Sequence, residues 1–513
     1  MTSRDAAGVG PRPPLFRTSA ALAVAALSAI PLWYVASGVA DAGTGMVDLL
    51  WRPRVGELLT NTVLLVLAGT AACLVLGTAA AWLVERTDLP GRPLWTALMA
   101  APLAVPAFVN SFGWSSLVPS FAGFGAAVVV TTLSYYPLVY LPVAAALRGT
   151  DPAFEEMARS LGCGPWRAFT RVTLPRLRPA ALGGGLLVGL HMLAEFGAVQ
   201  ALRFDTFTTA IYDQYQSTFN GAAATALAGV LVLLCLLLLA GELRLAGSVR
   251  LARVGSGTSR QPTLHRLGRA RPVAAAGLLL FAGAALGVPL GCIGYWLAVS
   301  TSTAFPAADL LATAGSTLAL AAMGAAATTA AALPVAWLAV RRPGWPSRIL
   351  ERSTYVGNSL PGIVVALALI TVAIKYAPGL YQTTAMLVVA YVTLFLPRAM
   401  VGIRSALAQI PAALDDVART LGVRPAGALL RVTLPLIARG AGAGAGLVFI
   451  AVVTELTSTL LLAPIGTRTL ATQFWSQSSE IHYGAAAPYA LLMIAVSAPM
   501  AYLLIRTDHE AAR

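Results

Sequence analysis

Charge is scarce in this sequence. Only 11% of its 513 residues are Asp, Glu, Lys or Arg, and 58% are hydrophobic; soluble domains carry about 25% charged residues. A chain this long and this apolar has no aqueous fold open to it, so the class that remains is a polytopic helical membrane protein. Lysine is almost missing, since Lys375 is the single lysine among 35 basic residues. A phosphate-binding P-loop needs a lysine before Ser or Thr after a glycine-rich turn, and Lys375 is followed by Tyr376 at the end of an apolar run. ATP is therefore not bound here by that route. Cysteine is also sparse. Cys73, Cys163, Cys235 and Cys292 form no CxxC pair, and three of them fall in apolar stretches. That pattern argues against a disulfide framework or a zinc site and for small buried hydrophobes. No metal site is assigned.

What the chain has in abundance is long apolar runs. Stretches of about 20 residues read as spanning helices. They fall near 17–39, 58–84, 94–117, 124–147, 179–201 and 222–243, then near 273–298, 314–340, 355–376, 383–405, 437–462 and 484–505. The first run, with a cleavage-like Ala36-Ser37-Gly38-Val39-Ala40, has the look of a signal peptide, but its length and its later counterpart favour an uncleaved helix. The expected fold is all-α, with twelve transmembrane helices in two homologous six-helix halves.

The homology of the halves is visible residue by residue. Ala81-Trp82-Leu83 recurs as Ala336-Trp337-Leu338, and at the same offset of 255 Pro106, Tyr136 and Pro142 match Pro361, Tyr391 and Pro397. After the fourth helix the offset becomes 260, where Val172-Thr173-Leu174-Pro175 matches Val432-Thr433-Leu434-Pro435. This is an internal duplication. The expected organisation is a cytoplasmic tail at 1–16, a first unit at 17–243, an Arg/Gly/Ser-rich flexible linker at 244–272, a second unit at 273–505 and a tail at 506–513.

The net charge of +14 does not point to nucleic acid, because the arginines lie in short segments between apolar runs. With the N-terminus inside, 30 of the 35 basic residues face the cytoplasm, Arg398 being counted with the second loop between helices 4 and 5 of a half. The positive-inside rule selects that orientation, with both termini cytoplasmic in a plasma (inner) membrane and the two halves parallel. Trp33, Trp51 and Trp296 are expected at the outer interface, and Tyr136 and Tyr391 are expected to pack inside the bundle.

One cytoplasmic motif occurs twice. Glu156-Met157-Ala158-Arg159-Ser160-Leu161-Gly162 is followed after nine residues by Val172-Thr173-Leu174-Pro175; Asp416-Val417-Ala418-Arg419-Thr420-Leu421-Gly422 is followed at the same spacing by Val432-Thr433-Leu434-Pro435. Acidic residues in the first turn suit a helix N-terminus, Met157/Leu161 and Val417/Leu421 share a face, and Gly162 and Gly422 stop the helix. Pro175 and Pro435 are expected to break the chain before the next span. Each copy predicts a short amphipathic helix, at about 152–166 and about 411–426, and two such knobs suit a cytoplasmic partner that is itself a pair.

The arrangement resembles the E-A-A-x3-G-x9-I-x-L-P motif of binding-protein-dependent ABC transporter permeases. Glu156, Ala158, Gly162, Leu174 and Pro175 match, as do Ala418, Gly422, Leu434 and Pro435, with Asp416 in place of Glu. Met157 and Val417 stand for the first Ala, and Val172 and Val432 for Ile. The resemblance implies that the short helices dock into two ATPase subunits, which carry ATP and Mg, and that an extracellular solute-binding protein delivers the cargo. This chain is then not an enzyme and binds no cofactor itself. A fused pair of units, with Glu195-Phe-Gly-Ala-Val, Phe204-Asp-Thr-Phe-Thr-Thr-Ala-Ile-Tyr212, Glu455-Leu-Thr-Ser-Thr-Leu-Leu-Leu and Thr469-Leu-Ala-Thr, looks like the iron(III) importers. Thiamine, aminoethylphosphonate, sulfate and polyamine permeases are similar too. An ion-gradient secondary transporter also has six plus six helices, but needs no matched cytoplasmic helices.

Glu195 and Glu455 each lie 39 residues after the first motif residue of their half. Both are expected deep in the fifth helix of the half, where an ionisable side chain faces a cavity or a partner. They either cap or pair with neighbouring helices, or line a gate in the solute pathway. His191 lies one turn before Glu195, and Ala451 takes the matching place. The glycines at 185 and 189, and at 440, 442, 444 and 446, are expected to permit close helix packing.

Overall fold

The computed structural model describes residues 15–150, 153–218, 220–245, 264–301, 306–358, 360–411, 414, 417, 420–423 and 425–511. Among them there is no strand, only an isolated bridge between Thr87 and His265. The first half contains α1 (Leu15–Leu50), α2 (Pro53–Arg86), α3 (Arg92–Ala100), α4 (Ala107–Leu117), α5 (Gly123–Tyr135), α6 (Pro137–Gly149), α7 (Ala153–Ser160), α8 (Pro165–Ala168), α9 (Leu174–Ala194), α10 (Gly197–Ala201), α11 (Phe207–Gln216) and α12 (Gly221–Leu245). The second contains α13 (Arg271–Ala282), α14 (Val288–Val299), α15 (Ala307–Arg341), α16 (Trp345–Asn358), α17 (Gly362–Tyr376), α18 (Thr384–Gln409), α19 (Pro425–Ala428), α20 (Leu434–Val453), α21 (Thr457–Leu462), α22 (Leu470–Ser479) and α23 (Tyr483–Ala511).

Nine helices among the described residues are long and apolar enough to cross a membrane, or ten if the bent pair Arg92–Ala104 and Ala107–Leu117 is one span. Two shorter apolar helices, Gly362–Tyr376 and Tyr483–Pro499, lie where further spans are expected. Twelve continuous spans are thus not reproduced, and proline chemistry accounts for much of the difference. The matched Pro106 and Pro361 stand at the N-caps of α4 and α17, in extended backbone. Proline lacks the amide that would continue the preceding helix and pushes the residue before it towards extended geometry. Val105 is extended accordingly, and the chain bends by 88° there.

Elsewhere proline is absorbed without a break. Phe169–Thr173, Gly283–Gly287 and Leu429–Thr433 form π-helical turns, and each is followed two residues later by a proline: Pro175, Pro289 and Pro435. A wider turn relieves the clash between the proline ring and the carbonyl four residues back. Pro175 and Pro435 therefore do not break the chain; Phe169–Ala194 and Leu429–Val453 each run as one continuous span.

Compact packing divides the chain differently from sequence homology. One unit comprises Met1–Tyr34 with Gly315–Thr467, the other Val35–Ala314 with Arg468–Arg513. In the first, Trp33 lies against Tyr376 with ring centroids 6.2 Å apart. In the second, Tyr136 packs on Phe281 at 4.4 Å, and Phe112 on Phe474 and Tyr483 at 5.3 and 5.5 Å. The first span of each sequence half is thus grouped with helices of the other half.

Lipid offers helices little hydrophobic gain from association, so close approach at small residues matters most. A Cβ on Gly184 would lie 2.7 Å from the Leu138 carbonyl oxygen, and one on Gly77 2.9 Å from Val139 Cβ. In the other unit a Cβ on Gly402 would lie 2.3 Å from the Gly440 carbonyl oxygen, and one on Gly444 3.0 Å from that of Ala399. Helices α18 and α20 therefore meet backbone to backbone. Gly185 and Gly189 face the leucines Leu74 and Leu238, whereas Gly442 has open space. Tyr136 and Tyr391 are fully buried, as expected, and Trp33 and Trp51 are exposed. Gly402→Ala is expected to destabilise the protein by about 1–3 kcal/mol through overpacking, and Gly442→Ala by less than about 0.5 kcal/mol. Thermal unfolding of the detergent-solubilised variants checks the contrast.

Candidate functional site

The first docking motif folds as expected, but more tightly. Helix α7 runs from Ala153 to Ser160, with Glu155 and Glu156 in its first turn, where carboxylates meet unsatisfied amides. It ends in a closed cap: the Leu161 amide donates to the Met157 carbonyl at 3.1 Å, and the Cys163 amide reaches back to the Ala158 carbonyl at 3.0 Å. That six-to-one bond requires a left-handed residue between, and Gly162 supplies it at φ +84°. The motif glycine is thus a backbone requirement. In the second copy Leu421 donates to Val417 at 3.1 Å and Gly422 has φ +76°. Asp416 and Ala418 lie outside the described residues.

Two apolar side chains per copy project outward. Met157 is 60% and Leu161 79% exposed; Val417 is 52% and Leu421 75% exposed. Glu156 beside them is exposed as well. An apolar pair at i, i+4 on a short helix gains nothing from water and marks a contact surface. Behind this face α7 is held by its own unit, with the Arg176 guanidinium 3.4 Å from the Phe154 ring centroid. A π turn, Phe169–Thr173 or Leu429–Thr433, then leads without a break into α9 or α20.

Each of these spans ends where its half carries a glutamate. Helix α9 stops at Ala194 and α20 at Val453, so Glu195 and Glu455 are not deep inside a helix but at its end. There each carboxylate caps the short helix that follows. Glu195 Oε1 accepts from the Ala198 amide at 2.8 Å, and Glu455 Oε1 accepts from the Ser458 amide at 2.8 Å and from the Ser458 hydroxyl at 2.8 Å. The expected alternative in which they cap helices is the geometry seen. The main chain is tied as well. Thr208 Oγ1 donates to the Glu195 carbonyl at 2.7 Å and Thr459 Oγ1 to that of Glu455 at 3.2 Å. Reciprocal Thr206/Thr209 and Thr469/Thr472 caps start α11 and α22. In each half the short helix, α10 or α21, packs on the helix that follows the matched proline, α4 or α17. A Cβ on Gly362 would lie 3.2 Å from Glu455 Oε1.

The second carboxylate oxygen and its neighbours differ between the halves. The Tyr135 hydroxyl donates to Glu195 Oε2, and its ring lies 5.4 Å from that of His191, whose Nδ1 is 2.8 Å from the Leu187 carbonyl. Tyr135 thereby brings Glu195 and His191 into one cluster, an arrangement the sequence reading did not name although Tyr135 adjoins the matched Tyr136. The corresponding second-half positions hold Ala390 and Ala451. Around Glu455 the neighbours are Gly362, Ser458 and the charge of Arg398, and Tyr391 hydrogen-bonds Thr459 at 2.8 Å. Arg398 was counted in a cytoplasmic loop by sequence; it is half-buried inside α18, 5.0 Å from the Phe395 ring centroid. A lone charge inside an apolar span was the available signal.

Comparison with known proteins agrees with the doubled motif. Residues 74–251 and 329–505 each match the family described as binding-protein-dependent transport system inner membrane component. An Fe(3+)-transport system permease protein of Haemophilus influenzae is 36% identical over 498 residues, covering 96% of this chain and 98% of that protein. A sulfate transport system permease protein of Escherichia coli is 32% identical over 214 residues, 37% of this chain and 76% of that protein. A molybdenum transport system permease protein of Escherichia coli is 31% identical over 135 residues, 23% of this chain and 58% of that protein. This chain belongs to the binding-protein-dependent transport system inner membrane components: it is the membrane permease subunit of an ABC importer.

Proposed function

We propose that the cargo is iron(III), passed from an extracellular binding protein through this chain and driven by two separate ATPase subunits. The observation that carries the cargo is the similarity, over nearly the whole of both chains, to an Fe(3+)-transport permease. Sulfate and molybdenum permeases match over much shorter stretches, which keeps an oxyanion or another small solute as the second reading. In the proposed arrangement the chain spans the membrane twelve times with both termini in the cytoplasm. The basic residues favour that orientation.

Local geometry in the first copy supports the docking roles. Glu156, Met157 and Leu161 present the first contact surface, Ala158 and Gly162 close the helix end, and Pro175 with its π turn passes displacement to α9. Asp416, Ala418, Gly422 and Pro435 take the corresponding roles in the second copy. ATP binding and hydrolysis in the motor move these helices and switch the access of the pore.

Glu195 and Glu455 are proposed to gate the pathway. Each holds the joint between a motor-linked span and a short helix, so a motion of α9 or α20 is transmitted through a carboxylate cap. His191 is proposed to line the same pathway beside Glu195.

Three measurements test this reading. Uptake of labelled iron(III) in a deletion strain carrying the importer is expected, with no competition from sulfate, molybdate or thiamine; oxyanion uptake instead overturns the cargo. Glu195→Gln combined with Glu455→Gln is expected to lower uptake at least about tenfold, the effect of weakening two charge-assisted bonds, and unchanged uptake removes the gate. Gly162→Ala is expected to strain the cap by about 1 kcal/mol and to lower transport-coupled ATP hydrolysis, while basal hydrolysis by the free ATPase is unaffected.

A further inference from the structure

The segment expected to be a flexible linker is, at its C-terminal end, built into the first docking site. Residues 264–267 lie along the end of α2. The His265 amide donates to the Arg86 carbonyl at 2.8 Å, the Asp88 amide donates to the His265 carbonyl at 3.1 Å, and the Leu267 amide donates to Asp88 Oδ1 at 2.9 Å. Three bonds in opposing directions over three residues fix the backbone as firmly as a short piece of sheet. The chain then enters α13 through a single 3-10 turn, Gly268–Ala270.

The side chain of His265 uses this fixed base. Its Nε2 lies 3.0 Å from Glu155 Oε1, and the two side chains are 19% and 14% exposed. Its ring lies 5.7 Å from that of Trp82, which in turn meets Phe169, the first residue of the π turn, at 5.8 Å. One imidazole therefore touches α7 directly, and through Trp82 it supports the turn that links α7 to α9. Neighbouring groups strengthen the base: Arg148 pairs with Glu85 at 2.5 Å, and Arg92 donates to the Glu85 carbonyl at 2.7 Å.

We propose that His265 is a positioning residue for motor coupling, holding the first docking helix on α2 and α13 through Glu155. Glu155 is turned towards the strap while its neighbour Glu156 is exposed with Met157 and Leu161. The helix is thus gripped on one side and offered to the motor on the other. Load applied to the first docking helix passes through the strap to α2 and α13 as well as to α9.

The inference rests on membership of the importer family, not on the cargo. It is tested on the complete importer in lipid nanodiscs, with permease, ATPase subunits and an iron(III)-loaded binding protein. Apparent affinity for the ATPase subunits and ATP hydrolysis per assembled complex are measured for His265→Ala, Glu155→Gln, the double variant and His265→Lys. The single variants are expected to lower binding-protein-stimulated hydrolysis about fivefold, the size of effect a partly buried hydrogen bond to a carboxylate supports. The double variant is expected to lose no more than either single one, and His265→Lys, which keeps a hydrogen-bond donor opposite Glu155, is expected to recover coupling. Basal hydrolysis is read alongside, so a wrong cargo abolishes stimulation in the wild type as well and is distinguished from a failed strap. Additive losses, or full coupling in both single variants, overturn the proposal. So does a fall in thermal stability that is equal in His265→Ala and His265→Lys with coupling per folded complex unchanged.

Discussion

Backbone amides and carbonyls have no water to bond in the middle of a bilayer, and each one left bare costs several kcal/mol. Where the helices of this chain nevertheless stop, side chains must supply the missing partners. Glu195 and Glu455 sit at two such stops and supply the missing acceptors themselves, each to the amide three residues on. Threonine hydroxyls take care of the glutamate carbonyls and start the next helices. Each break therefore keeps a side-chain partner for one amide and one carbonyl.

Proline works within the same constraint in two ways. At Pro106 and Pro361 the helix is ended and restarted, with an 88° bend at the first. At Pro175 and Pro435 a π turn takes up the clash and the helix continues. The difference has a functional reading. Under the proposed function, the continuous spans that begin at the π turns carry displacement, and the capped breaks at their far ends turn it into a local rearrangement. Both devices occur in both halves, as expected of a duplicated pore.

The duplication is nevertheless unequal where charge is concerned. Glu195 shares its surroundings with Tyr135 and His191, while Glu455 feels Arg398. On the first docking helix Glu155 meets His265. A single chain is free to diverge in this way, since its two halves are distinct positions in one sequence, whereas a homodimer of half-length subunits must keep its two sites the same.

Much of this was legible in the residues. Apolar runs, the offsets of 255 and 260, the doubled motif and the weight of arginines followed from composition and spacing, because lipid imposes length and hydropathy on every span. The stop glycines were legible too, since a left-handed end is a local requirement that Gly162 and Gly422 satisfy. Other features were not. That Pro175 would be absorbed while Pro106 breaks its helix depends on neighbours that either support or oppose a π turn. Whether Glu195 and Glu455 lay inside a helix or at its end was decided by which amides came within reach. The units of packing, the partners Tyr135 and Arg398, and the folding of the linker's end onto α2 all join residues far apart in the chain. Such contacts are set by tertiary packing, and no local pattern encodes them. The sequence by itself determined that this chain crosses the membrane as a doubled permease; only the tertiary structure decided which residues hold its joints.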